Sequence, residues 1–257
     1  MKGAPYDRNS SFLRGGATAP GRIREAFWGD SANSCTEEGF DILSANRLVD
    51  DGNLDTSDYL TLGKALIPFL KKGNKVITLG GDYSITYPLI RAYSEVYPKL
   101  NILQIDAHTD LYNDFEGDLY SHACPFARIM EEGLTLRLVQ VGIRSVTPHT
   151  KAQAEKFGVE MFEMRNWKEV PSLIFKAPLY ISLDLDGIDP AFAPGVSHHE
   201  PGGLSVREVL TLLRTLKGEI VGADIVELNP TRDLVDMTAM LAAKLLREIA
   251  GIMMKQG

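Results

Sequence analysis

The chain of 257 residues is 44% hydrophobic and 24% charged, proportions that are typical of a folded globular protein. Its net charge of -7 argues against binding to a nucleic-acid backbone, and no stretch approaches the roughly 18 uninterrupted apolar residues of a membrane-spanning helix. Two isolated cysteines, Cys35 and Cys124, and an amino terminus without the apolar core of a signal peptide predict a cytoplasmic protein without disulfide bonds.

Predicted helices and strands alternate along the chain. In chain order they are a helix from about Pro20, a helix at 57–71, a strand at 75–79, a helix at 85–97, a strand at 101–105, a helix at 125–132, a strand at 137–141, a helix at 149–157, a strand at 160–162, a helix at 167–175, a strand at 178–183, a helix at 205–216, a strand at 220–226 and a helix at 237–254. Alternation of this kind, with strands that are apolar on both faces, is typical of a mainly parallel sheet. We therefore predict a single α/β domain over 1–257, with a doubly wound sheet and helices on both of its faces.

The strand at 101–105 ends in the segment Asp106-Ala107-His108-Thr109-Asp110. Asp106, His108 and Asp110 are spaced at i, i+2 and i+4, so on extended chain they point to one side. Carboxylates and an imidazole at the end of an apolar strand require a compensating positive charge. This segment predicts a metal site, although taken alone it could also be a polar loop that happens to hold three ionisable residues.

Two further strands end in acidic residues: Asp184 and Asp186 follow the strand at 178–183, and Glu227 follows the strand at 220–226. Ligands of parallel α/β sheets bind beyond the carboxyl ends of the strands. The Asp-x-Asp pair could instead cap a helix, but two Asp clusters at neighbouring strand ends together predict a shared cation. Four Asp and one His favour Mn²⁺, and there are enough carboxylates for two ions that hold a bridging hydroxide.

Four of the five histidines also fall in loops that follow strands: His108, His122, His198 and His199. This concentration favours a functional role, since random placement would scatter them. Two alternatives stay open from the residues alone. His122 could be bonded to the backbone of its loop, and at least one of the adjacent pair His198-His199 could face solvent.

Five motifs together resemble those of the ureohydrolase family, which includes arginases and agmatinases. They are Gly80-Gly81-Asp82-Tyr83-Ser84, Asp106 to Asp110, Ser182 to Pro190, Ala193-Pro194-Gly195 and Glu227-Leu228-Asn229-Pro230. The resemblance runs from about Gly3 to Met253, and the segments 115–130 and 194–205 are most similar to plant arginases. It implies an arginase-like three-layer fold and hydrolysis of a guanidino compound, agmatine or arginine, to urea and putrescine or ornithine.

The resemblance also implies roles for individual residues. The implied ligands of two Mn²⁺ ions are Asp106, His108, Asp110, Asp184 and Asp186. Asp106 and Asp184 would bridge the ions, Asp110 would complete the first site, and His108 and Asp186 would complete the second. His122 corresponds to the proton-shuttling histidine, Glu227 to the carboxylate that binds the guanidinium, and His198 to a substrate-binding position. The family further implies a homo-oligomer, either a trimer or a hexamer.

The chain departs from the family pattern in three places. Tyr83 replaces a histidine that is a ligand of the first metal, so we expect that site to be weak or empty. The apolar first strand of the family is expected to be largely missing ahead of Gly3. Thr147 stands where animal arginases have an aspartate that contacts the α-amino group of arginine, so agmatine and other guanidino substrates stay open.

Two further hypotheses compete with an active guanidino hydrolase. The first is a catalytically impaired homologue with a structural or regulatory role, which Tyr83 motivates. The second is a zinc-dependent deacetylase of related fold, suggested by the pair His198-His199. The two Asp clusters argue against the deacetylase, because one zinc ion needs fewer carboxylates.

Overall fold

A computed structural model describes residues 1–44, 47–169 and 171–256. Its sheet consists of β1 Lys2–Gly3, β2 Val76–Leu79, β3 Asn101–Ile105, β4 Arg137–Ile143, β5 Glu160–Glu163, β6 Leu179–Asp184 and β7 Ile220–Val226. The strand order is β1-β2-β7-β6-β3-β4-β5, and every neighbouring pair is parallel. The predicted parallel α/β sheet is therefore confirmed.

Helices cover both faces of this sheet. They are α1 Ala19–Trp28, α2 Ile67–Lys71, α3 Thr86–Ser94, α4 Pro125–Glu131, α5 Pro148–Phe157, α6 Val206–Thr215 and α7 Met237–Lys255. One core lies beneath α1, α6 and α7 and contains Leu103, whereas the other lies beneath α3 and α4 and contains Ile102. These neighbours enter opposite cores because successive side chains of a strand point to opposite faces. The result is the expected three-layer α/β/α arrangement.

Strand register brings the carboxyl ends of the central strands together. Ile105 at the end of β3 is paired with Leu183 of β6, and Asp184 is paired with Val226 at the end of β7. The loops that leave β3, β6 and β7 therefore begin side by side at one edge of the sheet. In a parallel sheet this is the edge at which ligands bind.

Two predicted helices differ in the structure, and both differences involve proline. The helix predicted at 167–175 is wrong: residues 167–169 and 171–175 contain no α-helix, and Val170 lies outside the described residues. Pro171 explains this, because a proline inside a helix has no N–H to donate and its ring clashes with the preceding turn. The helix predicted at 57–71 is a 3-10 helix at Tyr59–Leu66 followed by α2, and Pro68 occupies the first turn of α2, where its missing N–H costs nothing.

Two helices begin at reciprocal side-chain caps. Ser205 and Glu208 form a capping box at the start of α6, and Thr147 and Thr150 form one at the start of α5. The second cap fixes Thr147 at the carboxyl edge of the sheet. None of the helices in the described residues combines the length and apolar character needed to cross a membrane.

Candidate active site

The loops after β3 and β6 are held in contact by their backbones. A Cβ atom at Gly187 would lie 2.7 Å from the backbone nitrogen of Asp106, a separation that no side chain allows. The backbone N–H of Ala107 donates to Oδ1 of Asp186 at 3.2 Å. Glycine at position 187 thus lets the two aspartate-bearing loops approach closely enough for their carboxylates to contact the same bound group.

Asp106, His108 and Asp186 form a group whose ligand atoms all lie within 4.8 Å of one another. Nδ1 of His108 is 3.1 Å from Oδ2 of Asp186 and 3.5 Å from Oδ1 of Asp106. Burial alone would lower the pKa of His108, but the two carboxylates raise it to about 12. A positive charge between these carboxylates is strongly favoured, and two oxygens with one imidazole nitrogen are a suitable ligand set for Mn²⁺.

Hydrogen bonds beneath this group orient Asp106. Gln104 Nε2 donates to Oδ2 of Asp106 at 2.6 Å, and the backbone N–H of His108 donates to Oδ1, also at 2.6 Å. Gln140 in turn donates to Gln104 at 2.6 Å. Burial, followed by the charge of Asp186, raises the pKa of Asp106 to about 7. The carboxylate is therefore held in one orientation, and a neighbouring positive charge would stabilise its ionised form.

Asp110 and Asp184 lie nearby but do not belong to a converging group of three ligand residues among those that the structure describes. Asp184 accepts from the backbone N–H of Asp186 at 2.7 Å and caps the 3-10 turn Leu185–Gly187. Asp110 has a φ of 50°, so the chain has left the extended conformation there. Burial and the neighbouring carboxylates raise the pKa values of both. The structure thus assembles three of the five implied ligands.

Tyr83 is buried beneath the cavity, with 1% of its surface exposed. Its ring packs edge-on against Phe126 with centroids 5.4 Å apart, and its hydroxyl makes no hydrogen bond of ordinary geometry among the described residues. The hydroxyl of Ser182, which donates to Asp224, is close enough to oppose the rise in the pKa of Tyr83. Burial raises its pKa, and the charges of Asp106, Asp224 and Asp184 raise it further. The side chain is consequently a neutral phenol at the position where the resemblance implies an imidazole ligand.

His122 and Glu227 are paired at the wall of the cavity. Nδ1 of His122 lies 2.9 Å from Oε1 of Glu227, and its Nε2 lies 2.8 Å from the hydroxyl of Ser11. Burial would lower the pKa of His122, but Glu227 raises it to about 9. Oε1 of Glu227 also accepts from the backbone N–H of Tyr83 at 2.8 Å. The glutamate is thus a fixed anion facing the cavity.

A cavity of about 170 Å³ unites these groups. Its lining residues are Ser11, His108, Thr109, Asp110, Tyr112, Phe115, His122, Ala123, Ser145, Thr147, Thr150, Asp184, Asp186, His198 and Glu227. The ring of His198 is 5.2 Å from that of His122, whereas His199 is exposed and bonded to the carbonyl of Pro194 at 2.7 Å. His198 is therefore the member of the pair that faces the cavity.

Several residues of this region did not emerge from the sequence. Gln104 and Asp224 are polar residues inside apolar strands, a pattern that could have indicated them. Asp224 accepts hydrogen bonds from Thr86, Tyr180 and Ser182 below the site. Ser11 carries no such signal, because its contact with His122 joins residues 111 positions apart.

Comparisons with known proteins identify a matching family and similar structures. The Arginase family model matches residues 1–251. "Arginase 1, mitochondrial" from Arabidopsis thaliana is 48% identical over 97% of this chain and 79% of its own length. "N(1)-aminopropylagmatine ureohydrolase" from Thermus thermophilus is 35% identical over 91% of this chain and 84% of its own. The solved structure of arginase from Medicago truncatula has a TM-score of 0.89 and 44% identity, covering 98% of this chain and 86% of that one.

Proposed function

Because the chain belongs to the arginase family and is a hydrolase of arginine-like guanidino compounds, we propose that its substrate is arginine, which it converts to urea and ornithine with Mn²⁺. One observation carries this proposal: the pair of Glu227 and His122 lies in the same site as the group of Asp106, His108 and Asp186. All of these residues except Asp106 line the cavity of that site. An anion and a cation site on the same small cavity suit a positively charged, planar substrate that is attacked by water.

Each residue has a defined task in this reaction. The carboxylate of Glu227 accepts N–H groups of the guanidinium, a charge-assisted contact that fixes the plane of the substrate. His122 transfers a proton at Nε2, since its Nδ1 is held by Glu227. Asp106, His108 and Asp186 would hold a metal ion, which, when bound, activates water as a Lewis acid. His198 forms part of the substrate-facing wall.

A hydroxyl group at the far wall supports arginine over agmatine. Ser145 lines the cavity and offers a hydroxyl donor to an α-carboxylate, a group that agmatine lacks. Thr147 and Thr150 also line the cavity, but their hydroxyls donate within the cap of α5. The similarity to plant arginases supports the same choice. Agmatine would instead leave the Ser145 hydroxyl without a charged partner.

We further propose that the two metal sites differ in strength. The second site has Asp106, His108 and Asp186 already converging, which supports tight binding there. The first site has a buried phenol at Tyr83 in place of an imidazole, which supports weak binding or none. The donor set therefore suits one ion well and a second ion poorly.

The experiment measures bound Mn²⁺ per chain and urea release from arginine, agmatine and 4-guanidinobutyrate. It compares the wild type with Tyr83→His, and with Tyr97→His as a control at a residue outside the site. We expect about one ion in the wild type, about two in Tyr83→His, and faster urea release only in that variant. Two tightly held ions in the wild type would contradict the proposal that the first site is weak. Faster urea release from agmatine than from arginine would contradict the proposal that arginine is the substrate.

A second candidate is a catalytically impaired homologue with a structural or regulatory role. The buried side chain of Tyr83 favours it, because a neutral phenol is a poor metal ligand at the position where the resemblance implies an imidazole. The same experiment separates the two functions. Urea release that is absent in the wild type but present in Tyr83→His would favour the impaired homologue, whereas clear release from the wild type would exclude it.

Self-association and a cytoplasmic location also belong to the proposal. The family resemblance supports a trimer or hexamer, which light scattering at several protein concentrations would test. Two free cysteines, exposed Cys35 and buried Cys124, support a reducing compartment, and cell fractionation would test it.

A further inference from the structure

A chain of three side chains connects solvent to the base of the cavity. The hydroxyl of Ser11 lies 2.8 Å from Nε2 of His122, and Nδ1 of the same ring lies 2.9 Å from Oε1 of Glu227. Ser11 is exposed, whereas His122 has only 7% of its surface exposed. The serine hydroxyl is therefore an exposed group within hydrogen-bond distance of the ring nitrogen that faces away from Glu227.

Hydrogen-bond chemistry determines which nitrogen exchanges protons. A carboxylate can only accept, so Nδ1 of His122 carries a proton and donates it to Glu227. Nε2 then gains or loses the proton when the ring changes its charge. A hydroxyl can donate to a bare Nε2 and accept from a protonated one, so Ser11 fits both states of His122 without moving.

The loop that carries Ser11 is anchored through Asn9. The backbone N–H of Asn9 donates to Asp82 at 3.0 Å, and its side-chain amide donates to the carbonyl of Tyr120 at 2.7 Å. The backbone N–H of His122 donates to the carbonyl of Asn9 at 3.0 Å. Asn9 thus forms hydrogen bonds both to the turn of Asp82 and to the loop of His122. Ser11 lies two residues beyond this anchored asparagine.

On the basis of the guanidino hydrolysis proposed above, we propose that the Ser11 hydroxyl relays protons between solvent and Nε2 of His122. In the charging direction a buffer acid gives its proton to Oγ while the Oγ–H proton passes to Nε2; the base of the buffer and an intact serine remain. The reverse transfer returns the proton to solvent. Ser11 acts through His122 and is therefore a positioning residue, not a catalytic one.

The test compares Ser11→Thr with Ser11→Val, which have nearly the same shape and differ in the hydroxyl. We expect Ser11→Thr to keep kcat within about twofold and Ser11→Val to lower it about 10-fold or more, with little change in KM. Small buffer acids such as imidazole should restore kcat of the Val variant in proportion to their concentration. Ser10→Ala is the matched control, since the Ser10 hydroxyl lies 3.4 Å from Asp82 and does not contact His122.

A second measurement does not depend on turnover. The solvent-exchange rate of the His122 ring protons, followed by nitrogen-15 NMR, should fall about 10-fold in Ser11→Val and stay near the wild-type value in Ser11→Thr. Equal exchange in the two variants would overturn the relay even if both are active. Wild-type protein that shows the expected exchange but releases no urea would instead contradict the proposed hydrolysis and leave the proton path supported.

Discussion

Nδ1 of His122 lies 2.9 Å from Oε1 of Glu227, a contact between residues 105 positions apart. Glu227 is the first residue after β7 and has a φ of 64°, a left-handed conformation that turns its side chain away from the strand direction. Both residues are buried, so their charges compensate each other where water does not. The pair has consequences for stability and for activity that separate experiments can measure.

The first prediction concerns the stability of the metal-free protein against pH. The pKa of His122 is raised from 6.5 to about 9, so its pairing stabilises the fold fully below the lower value and is lost as the pH rises through the upper one. We expect the difference in unfolding free energy between wild type and His122→Asn to shrink by roughly 3 kcal/mol over this range. Denaturant unfolding with a chelator present measures it, and a pH-independent difference would contradict the pairing.

The second prediction concerns the charge of Glu227. Glu227→Gln keeps an acceptor for the backbone N–H of Tyr83 but loses the anion that faces the guanidinium. We expect urea release to fall about 100-fold, the size typical of removing one partner from a buried charge-assisted contact. Glu160→Gln, which breaks the surface pair with Arg137, serves as the control and should leave the rate unchanged. Comparable rates in the two variants would argue against the proposed role.

The third prediction concerns competition between protons and Mn²⁺ at Asp106. Its pKa is raised to about 7, mainly by burial and then by Asp186, so below neutrality a proton occupies the carboxylate that the ion needs. We expect the apparent affinity for Mn²⁺ to rise by more than about 10-fold between about pH 6 and about pH 8, because His108, whose pKa is raised to about 12, must also release a proton to bind the ion. Titration of free Mn²⁺ by electron paramagnetic resonance measures this. An affinity that is flat over this range would contradict proton competition at both residues.

The strands were accessible to sequence reasoning because they are short, apolar and bounded by polar residues. The predicted strand at 101–105 coincides with β3, and Asp106 and His108 converge as their spacing predicts. Asp110 lines the same cavity outside this group, and its φ of 50° shows that the chain has left the extended conformation on which the two-residue period rests. Periodicity therefore predicts a site only as far as the backbone stays extended.

Contacts between distant loops were not accessible in this way. The bond from Ser11 to His122 depends on how the anchored amino-terminal loop lies over the sheet edge, and no local pattern encodes that. The same holds for the backbone contact at Gly81, where a Cβ atom would lie 1.7 Å from the carbonyl oxygen of Tyr6. Such contacts follow from packing of the whole chain and not from the propensities of a segment.

The last prediction concerns the buried hydroxyl of Tyr83. Among the described residues this group makes no hydrogen bond of ordinary geometry, since the nearby hydroxyl of Ser182 donates to Asp224 instead. A buried polar atom without a well-formed hydrogen bond costs stability. Tyr83→Phe removes the oxygen and keeps the edge-on packing against Phe126, so we expect the free energy of unfolding of the metal-free protein to rise by about 1 kcal/mol. Tyr93→Phe is the matched control, because that equally buried tyrosine donates to the carbonyl of Val76 at 3.1 Å. Its replacement should lower the free energy of unfolding by about 1 kcal/mol. Chemical denaturation of the wild type and the two variants measures both changes. If Tyr83→Phe destabilises the protein as much as Tyr93→Phe does, the Tyr83 hydroxyl has a hydrogen-bond partner in solution.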